Sequence, residues 1–253
     1  MNDLLSVVEK TLDEVLPRED ERPSELSQAM RYAVGTGGKR VRPLIALGAA
    51  LAAGGEAKDA AYPAAAIELL HNYTLVHDDL PSMDNDEMRR GKLTVWKKFG
   101  EVNAILAGDA LQALAFLVAS KTPKNASGVV ASLAKAGVGV VAGQVEDIAA
   151  TGDTAYIYEH KTADLFVAAA EMGALAANAD DAALAKLRSF ALNLGLAFQY
   201  EDDLLDGDSP YTRAETERLA TETTDKAIRS LENLPGDVSV LKNLASKLLG
   251  RKV

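Results

Sequence analysis

The chain is 253 residues long, 48% hydrophobic and only 5% aromatic, enough apolar material for one large core or two modest ones. Its formal charge of -10 sets the average surface against a nucleic acid or an anionic membrane, and no nucleic-acid partner is expected. Cysteine is absent, which removes disulfides, thiolate catalysis and Cys-based zinc sites together; this fits a reducing compartment, and a cytoplasmic location is the expectation.

In MNDLLSVVEKTLDEVLP, Leu4, Leu5, Val8, Leu12, Val15 and Leu16 recur at helical spacing. With neither a basic leader nor an apolar signal core, the segment reads as the first amphipathic helix of the mature fold. Breaks follow at Pro17, Pro23, GTGG (35 to 38), AGG (53 to 55), Pro81, KTPKN (121 to 125), TGD (151 to 153), NADD (178 to 181) and GDSP (207 to 210). No proline interrupts Lys124 to Ser209, so several core helices can run unkinked there. The apolar stretches AILAGDALQALAFLV and VVASLAKAGVGVVAG contain Asp109 and Lys135; both read as too short and too charged to span a bilayer, and no membrane insertion is expected. After Pro210, Thr212 and Glu215 form a capping-box pattern that should start another helix. No β-branched alternation bounded by turns is present, so the expected class is all-α, with about ten or more helices around a central cavity. No linker composition divides the chain, and one domain over residues 1 to 253 is expected.

Two acidic clusters stand out. In VHDDLPSMDNDEMRRG, residues 76 to 91, Asp78 and Asp84 are six apart and would diverge on an ideal helix. Pro81 cannot continue the helix, so the chain should turn after Leu80, and Asp84 can come back beside Asp78. His71, seven residues earlier, shares the helical face of Asp78. In FQYEDDLLD, residues 198 to 206, Asp202 and Asp206 share one face, and Gln199 lies near both Asp202 and Asp203. Such acid pairs weaken an isolated helix; the plain alternative is a solvated acidic face, which the apolar flanks GLAFQY and LL disfavour.

Paired carboxylates suit a hard divalent cation, and magnesium takes one or two of them and fills its other positions with water and phosphate. Arg89 and Arg90 follow the first cluster, and GGKRVRP supplies Lys39, Arg40 and Arg42; this acidic chain concentrates base where phosphate oxygens would need it. The ligand implied is a phosphate ester or diphosphate. GTGGKR fails as a P-loop, with Ala33 and Arg40 at positions that need Gly and Ser or Thr. DNDEMR lacks the glycine of a calcium loop. A histidine-aspartate phosphohydrolase built on His77 and Asp78 has only His71 and His160 left as further histidines.

HDDLPSMDNDEMRRG resembles the first aspartate-rich motif of the trans-isoprenyl diphosphate synthases, the polyprenyl synthetase family, and FQYEDDLLD resembles their second. GGKRVRP, AILAGDAL, GQVEDI and HKTADLF are similar to further family segments in family order, over roughly residues 25 to 206. The resemblance implies the isoprenoid synthase fold and a condensation of isopentenyl diphosphate with an allylic diphosphate. It places Mg2+, three ions per site, between Asp78, Asp84 and Asp202, with Asp79, Asp203 and Asp206 shaping the clusters. Arg89, Lys161, Thr162 and Gln199 would hold the allylic diphosphate, and Lys39, Arg42, His71 and Arg90 the isopentenyl diphosphate. No side-chain base is nominated, since the released diphosphate would take the proton. Tyr73 and Thr74 occupy the positions that limit product length, and Tyr73 with the spacing of DDLPSMD resembles bacterial short-chain enzymes that stop at farnesyl diphosphate. The resemblance also implies a homodimer, for which AILAGDALQALAFLV could supply an interface.

Two departures bear on function. GDSPYTRAETERL enters the next helix almost at once, where most relatives carry a longer loop with a Gly-Lys pair that helps to close the site. Ala163 and Asp164 replace the usual Gly and small residue of HKTADLF. The first departure keeps open a second reading, a non-catalytic family member that binds and modulates an active synthase.

Overall fold

The computed structural model describes residues 1–207 and 209–248. Asp208, part of the GDSP break, and residues 249 to 253 of the expected single domain lie outside them. The described chain is helical almost throughout: α1 Asn2–Val15, α2 Ser24–Gly35, α3 Val41–Ala52, a 3-10 turn Ala57–Ala60, α4 Ala61–Asp78, α5 Val95–Phe99, α6 Glu101–Ala119, α7 Ala126–Ile148, α8 Thr154–Ile157, a π-helical turn Tyr158–Ala163, α9 Asp164–Ala176, α10 Asp181–Asp206, α11 Arg213–Ser230 and α12 Ser239–Leu248. The ends of α1, α2, α3, α4, α6, α7, α9 and α10 lie at or near breaks visible in the sequence, whereas α5, α8 and α11 end where none is read. Pro23 is the residue before α2, and Thr212 starts α11 by accepting from the Glu215 backbone N–H at 3.4 Å.

The core lies among α3, α4, α9 and α10. Nine of the twelve residues of α3 are buried, and Ile45, Leu47, Leu69, Leu70, Phe166 and Phe190 have less than 2% of their surface exposed. Each such side chain contributes roughly 1.5 to 3 kcal/mol on burial. The amphipathic stripe of α1 docks as its spacing predicts, through Val8, Leu12 and Leu16.

One feature adds to the expected all-α class, and one expectation needs correction. A four-residue hairpin, β1 Met88–Arg89 paired with β2 Lys92–Leu93, interrupts the all-helical pattern. Four residues are too few for alternation to register in sequence. The turn between the strands, Arg90 and Gly91, has φ of 53° and 73°, the left-handed pair that a two-residue hairpin requires. The helices α6 and α7 are also longer than their apolar cores suggest, at 19 and 23 residues, and by length and composition both could cross a membrane. Helical structure extends past the apolar run at both ends of each. Ala104, Ala107, Leu111 and Ala115 of α6 are buried in the bundle, while Val102, Ile105, Leu106 and Leu117 are exposed, as are Val138, Val141, Val145 and Ile148 of α7.

Candidate active site

The first acidic cluster forms where α4 ends. Pro81 has no backbone N–H to donate, and the chain folds back: Met83 N donates to Leu80 O at 2.9 Å and Asp84 N to Asp78 O at 2.8 Å. Asp84 thus returns to the helix end, as the break at Pro81 predicts. The Asp78 carboxyl is pushed up to about 6, first by burial and further by Asp84 and Asp79, against the pull of Lys161 and Arg89. Asp79 is 3% exposed and receives Arg89 through Nε at 2.8 Å and Nη2 at 2.7 Å. The hairpin is what brings Arg89 there, and at its tip the Arg90 guanidinium donates to the Gly37 carbonyl of the GTGG loop.

A cleft of about 710 Å³ opens beside this corner, lined by Lys39, Arg42, His71, Arg89, Arg90 and Asp202 among others. The four residues assigned by resemblance to isopentenyl diphosphate therefore meet in one place, together with Arg89 and the leading aspartate of the second cluster. Arg42 Nη1 and His71 Nε2 are 3.2 Å apart. A guanidinium can only donate, so this nitrogen accepts. Burial, then Arg42 and the neighbouring arginines, hold His71 well below the ordinary imidazole range, so it is neutral at pH 7. Burial lowers Arg42 to about 10, which leaves it charged, with Glu68 and Asp202 favouring that charge. Arg40 behaves differently from its neighbours in GGKRVRP. It lines the cleft too, but it is 6% exposed and clasped by Glu9 and Glu68, each at 2.7 Å, so its charge also ties α1 to α4.

A second cleft of about 350 Å³ is lined by Asp147, Tyr158, Lys161, Gln199, Asp203 and Pro210 among others. The π-helical turn presents Lys161 and Thr162 to α10; π turns recur at functional sites because one extra residue re-aims the side chains. Gly143 of α7 permits the approach, since a Cβ there would stand 2.4 Å from the Lys161 backbone nitrogen. Thr162 Oγ1 donates to Gln199 Oε1 at 2.8 Å, and Gln199 Nε2 donates to Asp203 Oδ1 at 2.9 Å. The Tyr158 phenol donates to Asp203 Oδ2, and Lys161 donates to Asp147. Tyr158 and Asp147 are absent from the sequence-based set. Asp147 lies within GQVEDI, which signals its position but no role, and nothing in the sequence marks Tyr158.

Asp84 and Asp206 are exposed and line neither cleft. Tyr73 turns towards Asp109 and Gln112 of α6, with its ring 5.0 Å from that of His77 in an edge-on contact; the Thr74 hydroxyl donates to His71 O. Among the described residues no three His, Asp or Glu side chains form a ready metal cage. The donor chemistry still fits magnesium, which needs only one or two carboxylates beside water and phosphate. Asp78, raised by burial and by two neighbouring acids, sits in the crowded negative charge that a divalent cation would relieve.

Residues 23–217 match the model of the polyprenyl synthetase family. The chain belongs to that family. Polyprenyl synthetases similar to it include a farnesyl diphosphate synthase of Geobacillus stearothermophilus, 42% identical over 81% of this chain and 74% of that protein. A chloroplastic geranylgeranyl pyrophosphate synthase of Capsicum annuum is 44% identical over 79% of this chain, which spans only 57% of that relative's length. The apo crystal structure of an FPP/GFPP synthase from Zymomonas mobilis superposes with a TM-score of 0.90 at 33% identity, covering 98% of each chain. The all-α isoprenoid synthase fold expected from the sequence is therefore the one observed.

Proposed function

We propose that this polyprenyl synthetase joins isopentenyl diphosphate head-to-tail to an allylic diphosphate, dimethylallyl or geranyl, releasing diphosphate and stopping at the fifteen-carbon farnesyl product. The observation that carries this reading is the meeting of Asp202 with Arg89 and Arg90 in one cleft, while Asp78 feels both Arg89 there and Lys161 in the next. Two acidic clusters more than a hundred residues apart in sequence thus flank one charged space. Mg2+ held by Asp78, Asp84 and Asp202 would supply the positive charge that stabilises the departing diphosphate.

The rest falls to the chain's own side chains. Arg89, Lys161, Thr162 and Gln199 hold the allylic diphosphate while its C–O bond breaks. Arg42 and Lys39, with Arg90 at the hairpin tip, hold isopentenyl diphosphate, and neutral His71 orients Arg42 without adding charge. The released diphosphate takes the proton lost on coupling. The exposed apolar faces of α6 and α7 suit a second copy, since side chains such as Val102 and Val138, 70% and 72% exposed, would be buried by it.

The short connection from Asp206 to α11 favours a second reading, a non-catalytic subunit that modulates an active synthase. One experiment separates them: purified protein is incubated with labelled isopentenyl diphosphate and each allylic diphosphate in turn, with magnesium and after chelation. Magnesium-dependent farnesyl diphosphate is the expected product. No product alone, but an altered chain length when the protein is mixed with an active synthase, would establish the second reading instead.

A further inference from the structure

Tyr158 belongs to none of the motifs that announce the site, yet its phenol reaches the most enclosed carboxylate of the second acidic cluster. It is 8% exposed, and Asp203, its acceptor, is 5% exposed. The same carboxylate accepts from Gln199, whose amide oxygen accepts from Thr162, so the donors form a directed chain: Thr162 to Gln199, and Gln199 and Tyr158 together to Asp203. This chain fixes which way the Gln199 amide faces, because its oxygen and its nitrogen are each assigned to a different neighbour. The phenol is itself held. Its ring lies edge-on to Tyr200 at 5.6 Å, and Tyr200 to Tyr211 at 6.3 Å, so the stack runs from the π-helical turn across α10 to the short connection before α11.

We infer that Tyr158 is a positioning residue for the allylic diphosphate: by bonding Asp203 it locks Gln199 and Thr162 in the orientation that meets the phosphate oxygens. The inference rests on the prenyl-transfer reading, since that reading gives Thr162 and Gln199 their ligand. It is specific to one cleft. Tyr158 lines the smaller cleft with Lys161 and Gln199, whereas Lys39, Arg42, His71 and Arg90 line the larger one. A phenol that served only to hold the fold together would disturb both clefts alike.

The test is Tyr158→Phe, which keeps the ring against Tyr200 and removes the donor. KM for the allylic diphosphate should rise about tenfold, the factor for one hydrogen bond to a buried carboxylate, with KM for isopentenyl diphosphate unchanged within about twofold. Calorimetry of inorganic pyrophosphate binding should show the magnesium-dependent affinity falling by a similar factor. Asp203→Asn, which weakens the same bond from the acceptor side, is the second variant and should raise the same KM; in that background Tyr158→Phe should add less than about twofold. Parallel increases in both KM values, additive effects of the two substitutions, or an unchanged allylic KM and pyrophosphate affinity would overturn the assignment. If the wild-type protein shows no turnover, the prenyl-transfer reading fails, and the pyrophosphate affinities of the same variants still decide whether Tyr158 shapes this cleft.

Discussion

At the end of α4 and on α10, two adjacent aspartates meet the same difficulty in different ways. Each pair leaves one carboxylate partly exposed, Asp78 and Asp202, and buries the other, Asp79 at 3% and Asp203 at 5% exposure. Asp79 is matched by a cation, Arg89, delivered by the hairpin. Burial still outweighs that partner and holds the Asp79 carboxyl above its usual range. Asp203 is met by the neutral donors Tyr158 and Gln199, and burial with that carboxylate pushes the Tyr158 phenol above the ordinary phenol range. The difference teaches that one acidic motif can be built twice with the buried charge cancelled at one end and solvated at the other. The first corner should then depend on a single ion pair, and the second on a network.

The largest expected effect tests whether both corners serve one reaction. Asp202→Ala and Asp78→Ala, assayed separately with saturating substrates, should each lower turnover on the order of 100-fold or more, comparable to losing a strong electrostatic contact at the reacting charge. Near-normal turnover in either variant would remove that corner from the mechanism and leave the comparison without a shared purpose.

The next effect is on stability and separates cancelled from solvated charge. Arg89→Met leaves Asp79 buried without its cation and should cost about 3 kcal/mol in urea unfolding, the low end for a broken buried pair because Arg89 is 29% exposed. Tyr158→Phe removes one donor among several and should cost about 1 to 2 kcal/mol. Equal losses, or a larger loss at Tyr158, would show that the cation does not carry the first corner.

Much of this arrangement is legible in the sequence, and what is not has a physical reason. Pro81 announces the return of Asp84 because a residue without an N–H cannot continue a helix beyond its first turn. The four-residue spacing of Gln199 and Asp203 announces their bond because helical geometry alone decides it. Burial is not announced: DD reads the same in both motifs, and only the packed fold shows that Asp202 lines the larger cleft while Asp79 and Asp203 are the buried members of their pairs. Arg40 reads in GGKRVRP like Lys39 and Arg42, and only the docking of α1 and α4 shows that Glu9 and Glu68 already pair its charge. The π-helical turn that aims Lys161 and Thr162 leaves no periodic trace over six residues, so Tyr158 goes unseen.

A smaller effect, one of product and not of rate, concerns the α4 face opposite the cleft. Tyr73→Ala removes a ring that packs against the core near the fully buried Leu69 and Leu70. Space opens by about one helical turn, 5.4 Å. Chromatography of the products should show chains longer than fifteen carbons. An unchanged product would mean that the floor of the channel lies elsewhere.

The smallest effect belongs to His71, which links the cleft to pH. Its folded pKa lies well below the ordinary imidazole value of about 6.5 through burial and the cations Arg42, Arg90, Arg89 and Arg40. Below about pH 6.5 the unfolded chain therefore binds a proton that the folded His71 refuses, and stability falls as pH falls. Glu68 and Asp202, in the same cleft, are the carboxylates that would soften this penalty. Asp78 works in the opposite direction between about pH 4 and 6, since its raised carboxyl keeps a proton that the unfolded aspartate has released. Comparing wild type with His71→Gln cancels that second contribution, because both chains carry Asp78. Between pH 7 and pH 5.5 the wild type should lose about 1 kcal/mol more than His71→Gln in urea unfolding, from the single proton at His71. Identical losses would mean that His71 takes up its proton as freely in the fold as out of it, and that Arg42 beside it does not hold it neutral.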